Sequence, residues 1–455
     1  MAFSALDSKL TGPLFAPHAL SGHFSDEARL AAMLRAEWAL AEAQQQQGLV
    51  PASVAQAIAA VTPAQFNLAA LGQATALSGV PTIPFVSALR ALVPKDCEAF
   101  VHKGATTQDI LDTALVLQMQ AAANTLTLNI TQLVESLIEL AEREADTPCV
   151  GRTYGQHAAP VSFGFKVAVW LAGLCDVLES WPLIRKQAFK ASLAGPVGTL
   201  SGRSEQNRAV AETFAALLSL QHDPVPWHVR RAGFVGLAGW LGQLIGALAK
   251  CAEDVVYLAS TDVAELSEPF IKGRGGSSAM PHKRNPVSAT LILSAQRQAP
   301  ALVATQFSCM NAAHERPAGA WHGEWSVLPD LFGLAAGAVR EAGNLAAGLE
   351  VDRARMLANL NQTRGLIYAD AVAATLARLI GAEKAHHLVE QGADQVRVTG
   401  RHLQEILPSL ADWPKDLAPD QLAVCFDRGP AVRAAAHFVP LAAKRARQTL
   451  AVLAS

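Results

Sequence analysis

Residues 107–145, TQDILDTALVLQMQAAANTLTLNITQLVESLIELAEREA, contain neither proline nor glycine. Their leucines, isoleucines and valines recur at three- and four-residue steps, the spacing of one helical face. The stretch predicts a single helix of about forty residues, roughly 60 Å long at ~1.5 Å per residue. Comparable apolar periodicity runs through residues 161–190, 204–220, 229–266 and 284–312, whereas alternating β-type runs bounded by turn residues are hard to find. Five long helices joined by short polar connections predict an all-α chain built on a central antiparallel bundle.

Shorter elements flank that bundle. Ser25 followed by Asp26 and Glu27 is an N-cap with an acidic first turn, and the helix it opens runs to about Gly48. Its four glutamines at 44–47 are expected on the solvated face. Pro51, Pro63, Pro81, Pro84 and Pro94 punctuate the residues that follow, and Pro408, Pro414, Pro419 and Pro430 break up the tail. Three units are expected: 1–106, 107–348 and 349–455.

Hydrophobic residues make up 51% of the 455-residue chain and charged residues 17%, with a net charge of −2. That balance argues against a nucleic-acid scaffold or a polybasic membrane binder and for a small-molecule partner. Cys97, Cys149, Cys175, Cys251, Cys309 and Cys425 show no CxxC or metal-ligand spacing and read as buried thiols of a reducing compartment. MAFSALDSKL has no basic region followed by an apolar run, so a cytoplasmic location is expected. Ala232–Ala249, AGFVGLAGWLGQLIGALA, is long enough for a membrane span. It runs into Lys250, Glu253 and Asp254 without a break in helical pattern, and we read it as a helix buried among others.

Residues 271–289, IKGRGGSSAMPHKRNPVSA, cannot pack as a core. Glycines, serines and basic groups there predict a polar loop leading into a helix. The GxxxxGK[ST] spacing of a nucleotide-phosphate loop is absent. Backbone N–H groups at a helix start, with Lys283, Arg284 and Asn285, suit a carboxylate, and a merely solvated loop is the alternative.

GSSAMPHKRNP, residues 276–286, resembles the signature loop of the fumarase/aspartase superfamily, whose pattern is GSSxMPxKxN. HKGATTQDILDTA (102–114) and GRTYGQHAAP (151–160) fall where that superfamily has its other two motif regions. The resemblance implies a three-domain helical fold, catalytic roles for Ser277 and His157, and carboxylate binding by Lys283 and Asn285. It also places Ser278 and Met280 of the loop, and Thr106, Thr107 and Gln108 at a helix N-terminus, against substrate, with Arg152 as a weaker candidate. Asp109 is either part of that site or a helix cap. The superfamily's active sites take residues from three subunits of a homotetramer, so the resemblance implies that assembly and a small polycarboxylate substrate. It implies no metal and no organic cofactor. The histidines form neither HxxxH nor HExxH, and His386-His387 is read as structural.

Within the superfamily, the chain resembles bacterial 3-carboxy-cis,cis-muconate cycloisomerases over almost its whole length. These interconvert a muconate and its lactone in aromatic catabolism through the β-ketoadipate route. Adenylosuccinate lyase, whose loop also reads GSSAMPHKRNP, is the competing resemblance. Where that lyase has a His-Asp pair, this chain has SGVPTIPFV (78–86), and its nucleotide-binding segment corresponds here to HERPAGAWHGEW (314–325), with Pro317 and Trp325 at polar positions. Lys103 stands where the cycloisomerase pattern has tryptophan. Facing a pocket, it would favour a sulfonate in place of the 3-carboxylate; facing solvent, it means little. A catalytically inactive structural homologue is the reading from another class.

Overall fold

The computed structural model describes residues 4–200, 204–276, 279, 280 and 282–454. Among them helices dominate. We label α1 Asp26–Gln46, α2 Thr107–Arg143, β1 Pro148–Thr153, β2 Gln156–Ser162, α3 Phe163–Leu178, α4 Ser204–Leu217, α5 Ala232–Leu258, α6 Val287–Ser308, α7 Val327–Gly348 and α8 Phe438–Ala454. Ser25 caps α1, its Oγ accepting from Ala28 N at 3.1 Å, and Ser162 caps α3 by accepting from Phe165 N at 3.1 Å. Each satisfies one orphan N–H of a first turn.

The bundle consists of α2, α3, α5, α6 and α7, each packed on its neighbours. This corrects one element of the sequence reading. Residues 204–217 do form a helix, but it packs on α1, and the fifth bundle helix is α7. The expected helix over 161–190 is likewise broken, α3 ending at Leu178 and a second helix, Trp181–Ala188, following. Gln44 is 7% exposed and its Nε2 donates to Lys103 O at 2.6 Å, so that glutamine belongs to the interior and not to the solvated face.

One continuous apolar core runs from α1 through the bundle to α8, which returns from the tail to pack on α2 and α3. A separate core, Val372–Cys425, belongs to the C-terminal helices. Half of the most apolar stretch of α5 is buried inside the chain, with Trp240, Leu241, Leu244 and Ile245 at 1% exposure or less. Close approach is also built in at Gly337 of α7, where a Cβ would lie 1.7 Å from Phe15 O. We expect Gly337→Ala to displace the N-terminal segment and to cost about 1–3 kcal/mol, as overpacking does. The check is the shift in urea midpoint, and an unchanged midpoint would refute the contact.

Candidate active site

Because α2 has 37 residues at ~1.5 Å each, Thr107 and Arg143 are about 55 Å apart. The site residues divide between these two ends.

At the Thr107 end, Asp109 is fully buried and gathers five donors. Thr106 N (3.0 Å), Ala194 N (2.9 Å), Gly195 N (2.9 Å), Ser192 Oγ (3.3 Å) and His228 Nε2 (2.6 Å) all reach its carboxylate. It therefore caps α2 and ties down the 192–195 segment. Gln108 also faces inward, its Nε2 donating to Asp112 (3.1 Å) and His228 O (3.0 Å). As placed in the protomer, that amide is committed to the interior. Thr106 Oγ1 accepts from Arg316 at 2.9 Å, and Thr107 O accepts from Thr82 Oγ1 at 3.1 Å. Arg316 brings a cation beside Thr106 that sequence reasoning missed, although it lies in the quoted HERPAGAWHGEW segment. Lys103 is exposed, its Nζ donating to Leu49 O at 3.2 Å and lying 5.1 Å from the centre of the Phe100 ring. His102 pairs with Glu37 at 2.6 Å; burial alone would lower its pKa, but that carboxylate raises it above the ordinary histidine value.

Beneath this end lies a buried ion network. Arg231 is 4% exposed and bridges Asp112 (2.8 Å) and Glu324, while Trp321 Nε1 donates to Asp112 at 2.9 Å and Gln306 to Glu324 at 3.1 Å. Burial raises the Glu324 carboxyl's pKa despite the opposing charge of Arg231.

The opposite end carries the GRTYGQHAAP motif, which is a β-hairpin and not a helical connection. Tyr154 (φ 52°) and Gly155 (φ 78°) form a two-residue turn of the primed kind that suits strand twist. Arg152 stands opposite His157 across the ladder. Its guanidinium grips the fully buried Glu265 at 3.2 and 2.5 Å, and Asn359 donates to the same carboxylate at 2.9 Å. Arg152 thus anchors the hairpin, with only its buried Nε lacking a partner. Burial and then the positive charge of Arg152 hold His157 below the ordinary histidine pKa, against the pull of Glu265. The imidazole is therefore neutral near pH 7, and its buried Nδ1 has no partner. We expect His157→Gln to lose less than ~10-fold in turnover, against 10²–10⁴ for a general acid. Steady-state rates check this, and a larger loss would restore proton transfer to His157.

The signature loop also lies at the hairpin end, between α5 and α6. Ser277 and Ser278 fall outside the described residues. Gly276 pairs with Arg284, and Asn285 N donates to Gly275 O at 2.9 Å. A Cβ on Gly275, whose φ is 72°, would sit 2.7 Å from Asn285 O, so glycine is needed there. Glu268 caps α6 by accepting from Ser288 N (3.0 Å) and Ala289 N (2.9 Å), and Arg274 pairs with Glu341. Lys283, Asn285 and Met280 are exposed. A cleft of about 370 Å³ opens beside the hairpin, lined in part by Arg152, Lys166, Lys250 and Tyr257. Among the described residues no three His, Cys, Asp or Glu side chains cluster as metal ligands.

Within one protomer, then, the loop and His157 share an end, and Thr106 and Thr107 are a helix length away. The geometry brings the exposed Lys283 and Asn285 and a neutral imidazole to one end, and hydroxyls with an arginine to the other.

Comparison with known proteins agrees with this architecture. A lyase family model matches residues 16–300. The 3-carboxy-cis,cis-muconate cycloisomerase of Pseudomonas putida is 40% identical over 421 residues, covering 92% of this chain and 100% of that protein. Its namesake from Pseudomonas aeruginosa is 43% identical, covering 88% of each. The crystal structure of the 3-carboxy-cis,cis-muconate lactonizing enzyme from Pseudomonas putida superposes with a TM-score of 0.93 at 38% identity, covering 97% of this chain and 100% of that one. With that family match, the three motifs and the helical bundle, the chain belongs to the lyase family of the fumarase/aspartase superfamily.

Proposed function

We infer that the protein is a cycloisomerase that interconverts 3-carboxy-cis,cis-muconate and 4-carboxymuconolactone, acting as a homotetramer in the cytoplasm. The observation that carries the activity is the near-complete alignment with relatives of that name, with the signature loop intact. In the lactonising direction one substrate carboxylate adds to an alkene carbon, and a proton is delivered to the carbon alpha to another carboxylate. The protein need supply only the folded substrate geometry, cations for the polyanion and a proton donor. Ser277 takes the donor role; Lys283, Asn285, Thr106 and Thr107 hold carboxylates, joined by Arg316. His157, neutral by environment, orients substrate.

Assembly is supported by the division of the site. No bending of one chain joins groups separated by the length of α2, whereas antiparallel neighbours set Thr107 of one copy beside the loop and hairpin of others. Six buried free cysteines suit a reducing compartment. Ultraviolet spectroscopy tests the activity, because lactonisation breaks the conjugation of a muconate. Purified protein should bleach 3-carboxy-cis,cis-muconate and release no fumarate from adenylosuccinate; the reverse outcome would assign it to the lyases.

A further inference from the structure

The turn that delivers Thr106 and Thr107 to the start of α2 is held from outside α2. Glu37 and Gln44 stand seven residues apart on α1, two turns along one face, and both are buried, at 1% and 7% exposure. Glu37 Oε1 lies 2.6 Å from His102 Nδ1, and Gln44 Nε2 donates to Lys103 O at 2.6 Å. Arg90, in the last turn of the helix Thr82–Leu92, donates to Val101 O at 3.1 Å. Residues 101–103 are thus fastened to two helices. His102 itself sits in the left-handed region at φ 63°, and Gly104 follows at φ 79°. A histidine holds that conformation at a cost, and the Glu37 contact is the restraint that opposes it.

Glu37 depends on His102 in turn. Its second oxygen, Oε2, is buried without a hydrogen-bond partner among the described residues, so a protonated His102 is the cation in contact with this carboxylate. A buried carboxylate that loses such a cation becomes costly. Charged groups act on His102 from three elements: Glu37 of α1, Asp109 of α2 and Arg90 of Thr82–Leu92. Burial lowers the His102 pKa, the two carboxylates raise it, Arg90 lowers it, and the balance lies above the ordinary histidine value. The pair therefore contributes fully below that ordinary value, and its contribution is lost as pH rises through the folded pKa.

We propose that the His102–Glu37 pair is a positioning device for the substrate end of α2. With the imidazole protonated it locks residues 101–106 and so aims Thr106 and Thr107; with the proton gone the lock loosens and substrate is held more weakly. His102 touches no substrate in this role, because its ring is turned to α1. The proposal rests on the reading of Thr106 and Thr107 as carboxylate ligands. Its effect falls on affinity and not on turnover, because the proton donor, Ser277, belongs to a different segment.

Steady-state kinetics across pH, on the parent protein and two variants, test the device. In the parent, KM for 3-carboxy-cis,cis-muconate should rise roughly 10-fold above the His102 pKa while kcat holds, as expected for loss of one charge-assisted contact. Glu37→Gln keeps a hydrogen-bonding group but removes the charge, so the rise in KM should move down by about one pH unit. His102→Asn tolerates the left-handed conformation, and its amide nitrogen can stand where Nδ1 stood, so the contact persists without a titrating group. Its KM should be flat over the same range. Hydrogen exchange of residues 101–106, corrected for its intrinsic pH dependence, reads the lock without any turnover. Protection should fall with rising pH in the parent and stay level in His102→Asn. An identical pH dependence of KM in parent and His102→Asn would overturn the proposal, and so would parental exchange that does not respond to pH. If the muconate is not turned over at all, the functional reading falls, and the exchange result alone decides for or against the lock.

Discussion

Ser277→Ala is expected to lower turnover of 3-carboxy-cis,cis-muconate by about 10³-fold, within the range for loss of a positioned proton donor. The expectation rests on chemistry and on what the neighbouring groups cannot do. A departing or attacking carboxylate needs no protonation, so the one proton that matters goes to carbon. The neutral His157 is a poor source for it, and Lys283 and Asn285 are assigned to carboxylate binding. Alanine should leave the loop's supports in place, because the Asn285 N to Gly275 O bond and the Arg274 to Glu341 pair involve other residues. Unchanged substrate affinity with collapsed turnover would fit the role, and near-normal turnover would refute it.

Arg231→Met should cost about 3–5 kcal/mol of stability, the cost of leaving buried charge uncompensated. Asp112 and Glu324 are 2% and 1% exposed, and each depends on this guanidinium. Glu324→Gln should cost less, because its carboxyl already has a raised pKa and an amide keeps a hydrogen bond to Arg231. Urea unfolding of both variants checks the order. If Arg231→Met matched the parent protein, the network would be energetically idle.

The long helices were legible because residues 107–143 offer uninterrupted periodicity with no glycine or proline. The fifth bundle helix was not: α7 carries Gly333, Gly337, Gly343 and Gly348, as α5 carries five glycines, and its apolar periodicity does not say which neighbours it will meet. Tertiary packing decides there, the glycines permitting the close approaches seen at Phe15 and Pro269. Ser204–Leu217 is amphipathic and looked equivalent, but sequence does not say which neighbour an apolar face will find. The hairpin escaped notice because its turn is Tyr-Gly and not Asn-Gly, and its second strand is only partly buried and lacks strict alternation. Asp112, Arg231 and Glu324 were missed as a network because charged residues are ordinarily exposed. The motifs named the site residues by resemblance; only the fold shows that they lie at two ends of one helix.

That separation is the claim on which the functional account turns, and mixing two weak variants tests it directly. Ser277→Ala and Thr107→Val should each be nearly inactive alone. Unfolded together in equal amounts and refolded, they should recover activity toward about one quarter of the parent value, because that fraction of shared sites draws both native residues from different copies. A mixture no more active than the average of the two separate variants would mean that each chain builds its own site, and the account would fail.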